Sequence, residues 1–137
     1  MTISDITPRL ARGEGKSEKL TDDCRTTFQS LNPKLNAFIT VTADAALEQA
    51  RRADKEIAAG RHLGPLHGIP VSLKDLIDQK GVKTTAGSLV RKDCGATEDA
   101  VVTQRLRDAG CVFVGKTNLH EFAFGTTSED SGFGPVI

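Results

Sequence analysis

The chain has 137 residues, and its 18 Lys plus Arg balance 18 Asp plus Glu to a formal net charge of zero. That balance argues against a nucleic-acid partner, because phosphate-backbone binding draws on many uncompensated basic side chains. With 38% hydrophobic and 26% charged residues the composition is that of a globular, water-soluble chain. No apolar run approaches the roughly 20 residues needed to span a bilayer, and MTISDITPRLARGEG lacks the apolar core of a secretory signal, so the expectation is a cytoplasmic protein with no membrane partner. Cys24, Cys94 and Cys111 are odd in number and widely spaced with no CxxC, which predicts reduced thiols and neither a disulfide framework nor a zinc site.

In chain order, residues 1–16 contain Pro8, Gly13 and Gly15, show no periodicity and read as a mobile lead-in. Ser17 is placed to cap a helix whose apolar positions are Leu20, Cys24, Phe28 and Leu31, with Asn32-Pro33 as its stop. AFITV (Ala37–Val41) reads as a short buried strand. Thr42 is the expected cap of a second helix that buries Ala46, Ala50, Ala53 and Ile57 and ends at Gly60. GPLHGIPVSLKD (Gly64–Asp75) is a Gly/Pro turn running into the strand Ile69–Leu73, where Pro70 points to an edge, a first residue or a bulge. Gly81–Ser88 is loop-like. Thr97 should cap a third helix with Val102, Leu106 and Ala109 inward and Gly110 closing it. CVFVG (Cys111–Gly115) reads as a buried strand, and Thr117 or Asn118 as the start of a short helix that Gly125 stops. Helices and strands alternating in this way predict an α/β layer with some parallel pairing, and with no linker or repeat in view residues 17–137 read as one unit.

Most of the candidate sites have a plainer explanation. Gly110–Thr117 matches GxxxxGK[ST] in form. A phosphate loop needs free backbone amides after a strand, whereas here the middle residues Cys-Val-Phe-Val favour a strand of their own, so no nucleotide site is expected. His62, His67 and His120 lack metal-ligand spacing, and there is no GxSxG elbow. Lys74 is the group of interest: it follows an apolar strand, and a lysine held in low dielectric gives up its proton more readily and can act as a base. Ser72 lies two residues earlier, on the same face of a regular strand, so a Ser72–Lys74 dyad and a small strand serine are both open readings.

GPLHGIPVSLKD, TTAGS (Thr84–Ser88), TEDAVVTQRLRDAGCVFVGKTN and EFAFGTTSEDSGFGPV together resemble the amidase signature family, as does LNPKLNAFITVTADAALEQA, from about residue 17 onward. The resemblance implies the N-terminal portion of that α/β fold, a mixed central sheet covered by helices. It implies hydrolysis of a carboxamide C–N bond by a Ser–cis-Ser–Lys triad, with no metal or organic cofactor and a small amide as substrate. The lysine of the G-I-P-V-x-x-K-D segment falls on Lys74, which would take a proton through the cis serine to activate the nucleophile. The glycine- and serine-rich segment that carries both serines in the family is not in this sequence, and Ser88, Ser128 and Ser131 do not match it. The expectation is therefore a truncated amidase domain, inactive alone, with an open apolar sheet edge that favours self-association. His120 and Leu76 depart from the pattern of the glutamyl-tRNA(Gln) amidotransferase members of the family and favour a general amidase. The alternatives are a remnant of that transferase, with its tRNA-bound acceptor, ATP and partner subunits, or a non-catalytic piece that complements a separate serine-bearing chain.

Overall fold

The computed structural model describes residues 2–137. They form helices α1 (Ile3–Ala11), α2 (Ser17–Leu35), α3 (Ala43–Ala58) and α4 (Val101–Asp108), strands β1 (Phe38–Val41), β2 (Pro70–Lys74) and β3 (Val112–Thr117), and 3-10 turns at Leu89–Arg91 and Glu121–Ala123. The sheet order is β1-β3-β2. β1 runs antiparallel to β3, with Thr40 opposite Lys116 and Val41 opposite Gly115. Between β2 and β3 the amide of Gly68 donates to Gly110 O (2.9 Å), that of Val112 to Ile69 O (2.9 Å) and that of Asp75 to Thr117 O (3.0 Å). Residue numbers rise together along these bonds, so this pair is parallel and the sheet is mixed. A central strand covered on both faces requires apolar residues at consecutive positions, and Val112, Phe113 and Val114 are all buried. Pro70 opens the edge strand β2, where its missing N–H costs no ladder bond.

The described residues fall into two compact units that alternate along the chain. One holds the chain up to Thr26, Thr42–Val71 and Arg105–Val114; the other holds Thr27–Val41, Ser72–Gln104 and Gly115–Ile137. The sequence shows no linker because the passages between them lie inside α2, β2, α4 and β3 and at the end of β1.

In the first unit the alanine stripe of α3 is buried as predicted, with Ala46 and Ala50 fully enclosed. Small side chains allow close approach: a Cβ added at Gly68 would lie 3.0 Å from Ser17 Cβ and 3.6 Å from Ala53 Cβ. Ser17 is not the cap it was expected to be. Its hydroxyl donates to Gly68 O at 2.6 Å, and the α2 N-terminus is capped instead by Asp54 of α3, whose carboxylate accepts from the amides of Ser17 (2.8 Å) and Glu18 (3.1 Å). Thr42 likewise turns its hydroxyl to Phe113 O (3.0 Å) in place of capping α3. Residues 3–11, expected to be a mobile lead-in, carry α1, which begins at a capping box: Asp5 N–H donates to Thr2 Oγ1 and Thr2 N–H to Asp5 Oδ2.

In the second unit α2 runs through Pro33 to Leu35, two residues beyond its predicted stop. A proline in the last turn disturbs few helical bonds, and Asn32 O still accepts from Asn36 N–H at 2.8 Å. Asn32 then grips β1 with its amide, donating to Phe38 O (3.1 Å) and accepting from Phe38 N–H (2.8 Å). α4 starts at Val101, later than Thr97, and its buried position is Thr103 and not Val102, which is exposed. The Thr103 hydroxyl donates to Asp78 O at 2.6 Å, a stronger constraint on the face of a two-turn helix than one valine. The short helix predicted after Asn118 is only the 3-10 turn, because Phe122 and Ala123 both take positive φ (53° and 56°).

Candidate active site

Lys74 ends β2. Side chains alternate across a strand, and here Leu73 and Asp75 point to the buried side while Ser72 and Lys74 are exposed. The desolvation expected for Lys74 from its apolar strand is therefore absent from this chain: Ile69, Val71 and Leu73 share the opposite parity. Among the described residues no hydrogen bond or ion pair engages the Lys74 ammonium, and none joins it to Ser72.

On the buried side of β2, opposite Lys74, lies a network that the motifs did not single out. Lys116, on β3, is 0% exposed, and so is the Asp75 side chain; Nζ stands 3.1 Å from Asp75 Oδ1. The same ammonium donates to Lys83 O and Thr84 Oγ1, each at 3.1 Å, so it is held by two hydrogen bonds and an ion pair. Asp75 Oδ2 accepts from the Thr85 amide (3.1 Å) and from the Thr85 hydroxyl. The Asp75 backbone is held as well, its N–H donating to Thr117 O (3.0 Å) and its C=O accepting from Ala86 N–H (2.8 Å). The signal was available in parity. Lys116 follows Val112 and Val114 on the same face of an apolar strand, and a charge on a buried face requires a partner.

The GxxxxGK[ST] string is thereby explained without nucleotide. Gly115 carries φ +155°, and a Cβ there would lie 2.4 Å from Thr40 O, so the glycine serves the close β1–β3 pairing. Gly87 is similarly constrained, with φ +69° and a Cβ position 2.7 Å from Leu119 O, which fits TTAGS to the turn beside Asp75. Of the remaining serines, Ser88 Oγ accepts from Val90 N–H (3.3 Å) and Ser131 Oγ donates to Asn118 Oδ1 (2.7 Å). His67 is buried against Glu56, with Nε2 3.2 Å from Oε2. Among the described residues no group of three or more His, Cys, Asp or Glu side chains is placed to hold a metal ion, and no helix is long and apolar enough to cross a membrane.

Helices and a mixed β1-β3-β2 sheet, with Lys74 ending an edge strand beside a buried Lys116–Asp75 pair, define a protein of the α/β class. The Amidase family model matches residues 19–137, and the chain belongs to that family. It is 47% identical over 136 residues to the A subunit of glutamyl-tRNA(Gln) amidotransferase from Azotobacter vinelandii, covering 99% of this chain and 28% of that protein. Against the corresponding protein of Prochlorococcus marinus it is 40% identical, covering 100% and 28%. Among solved structures it superposes on the native peptide amidase of Stenotrophomonas maltophilia with a TM-score of 0.89 and 39% identity, over 99% of this chain and 29% of that one. The chain thus spans about 28% of the length of the curated relatives it matches.

Proposed function

We propose that this chain supplies the lysine base of an amide-hydrolysing site whose two serines lie on polypeptide outside residues 1–137. The observation that carries the reading is Lys74: an unpartnered amine at the open end of β2, immediately beside an Asp75 pinned at both backbone and side chain. Serine-bearing polypeptide laid over β2 would cover the amine and favour its neutral form. That amine would take the proton of the nucleophilic serine through the cis serine. The serine oxygen bonds to the amide carbon, the C–N bond breaks, and the nitrogen leaves as ammonia or an amine carrying that proton. Water then releases the acid and restores the serine.

The assay is ammonia release from a simple primary carboxamide. Residues 1–137 alone are expected to show none above background. Joined to serine-bearing polypeptide, in one open reading frame or as an added chain, they are expected to turn over, and Lys74→Ala to remove at least about 10³-fold of kcat. Turnover by residues 1–137 alone that vanishes with Ser72→Ala would replace this reading with a Ser72–Lys74 dyad. A second reading is favoured by the curated relatives, which are transferase subunits: the same site releases ammonia from glutamine for a tRNA-bound acceptor. Glutaminase activity that depends on partner subunits distinguishes it. The free thiols Cys24, Cys94 and Cys111 suit a reducing, cytoplasmic compartment. β1 and β2, as the outer strands, leave edges through which residues 1–137 would self-associate, and sedimentation across concentration tests this.

A further inference from the structure

Three sequence strings that carry the family resemblance separately meet at one place: Lys74-Asp75, Thr84–Ser88 and Gly115–Asn118. The junction is the Lys116–Asp75 pair with Thr84 and Thr85 bonded to its two ends. Stability alone does not require such a pair, since well-packed apolar residues frequently replace a buried ion pair at no cost. What apolar residues could not do is fix direction. The ammonium donates to two separate residues, Lys83 and Thr84, and pairs with Asp75 at 3.1 Å, while the other carboxylate oxygen receives two donors from Thr85. Asp75 is thereby immobilised in side chain and backbone, and Lys74 is covalently the next residue.

We propose that Lys116 and Asp75 are positioning residues for the Lys74 base: the buried pair sets the direction in which β2 presents the Lys74 amine. The inference rests on the amidase reading of Lys74. Neither Lys116 nor Asp75 transfers a proton, since both are enclosed on the face of the sheet opposite Lys74. Their effect is geometric, and a displacement of about 1 Å at a reacting group suffices to cost about 10²-fold in rate.

The test uses residues 1–137 united with serine-bearing polypeptide and compares wild type, Lys74→Ala, Lys116→Met and the double variant Asp75→Asn/Lys116→Met, assayed on a primary carboxamide across pH, with thermal midpoints in parallel. Lys116→Met leaves a carboxylate uncompensated and is expected to lower both midpoint and kcat. The double variant removes both charges. It is expected to regain most of the thermal midpoint while kcat stays about 10- to 100-fold down, KM stays within about 2-fold, and the acid limb of the pH–kcat profile moves to higher pH because the amine is less well held in its covered position. A double variant with wild-type kcat and an unmoved acid limb would show the pair to be structural only and overturn the proposal. An inactive wild type would sink the amidase reading and this inference with it. An active wild type, a dead Lys74→Ala and an unimpaired Lys116→Met would sink this inference alone.

Discussion

His67 shows how one buried side chain is committed to a single protonation state. It is 2% exposed, its Nδ1 accepts the Leu63 N–H at 3.2 Å, and its Nε2 faces Glu56, which together require the neutral tautomer with the proton on Nε2. Burial holds its pKa below the ordinary 6.5, aided by His62 and Arg61 and opposed by Glu56. Below 6.5 the unfolded chain therefore binds more protons than the folded one. The stabilisation from neutral His67 is complete above 6.5 and is lost as pH falls toward the lowered folded value. Urea midpoints are expected to decline between about pH 7 and pH 5, and His67→Gln to flatten that decline. The same ring fixes a neighbour. Gly110 sits at φ +81°, and a Cβ there would be 2.4 Å from His67 Cδ2. Gly110→Ala is expected to destabilise the chain by at least about 1–3 kcal/mol, read from the same denaturation curves.

At the scale of the element, helix ends were the least legible part. Ser17 carries the right chemistry for a cap and stands at the first residue of α2, yet the cap comes from Asp54, 37 residues away. Local preference chose a residue type that serves either role; packing of Ser17 against Gly68 decided between them. Asp54→Ala is expected to cost about 0.5–2 kcal/mol, with hydrogen exchange accelerating first at the amides of Ser17 and Glu18. α1 escaped notice for a related reason. Its Thr2/Asp5 box is a purely local signal, but Pro8 and the nearby glycines outweighed it, and Leu10, 1% exposed, supplies the anchor that periodicity over so short a stretch could not show. Cys111–Val114 was legible as a buried strand because it has no polar position to spare, whereas β1, expected to be buried, is only half-buried, with Val41 40% exposed.

At the scale of the molecule, the two units alternate along the chain, and β3 contributes Val112–Val114 to one and Gly115–Thr117 to the other. Phe113, 0% exposed, is the largest side chain in that strand, with the Arg107 guanidinium 5.0 Å from its ring centroid. Phe113→Ala is expected to cost about 3–5 kcal/mol. Because one continuous strand runs into both units, urea transitions followed by amide exchange at Ala46–Ala50 and at Thr84–Ser88 should fall together. Separate midpoints would show that the units unfold independently.

The amino-acid sequence by itself determined the alternation of helices and strands, the buried alanine face of α3, the apolar centre of the sheet and the family to which the chain belongs, because each is written in local periodicity or in a contiguous motif. Tertiary structure alone decided that Lys116 finds Asp75 as its buried partner and that Asp54 caps α2. The two pairings join residues carried on different elements, and charges so distant in sequence find one another only when the elements between them are in place.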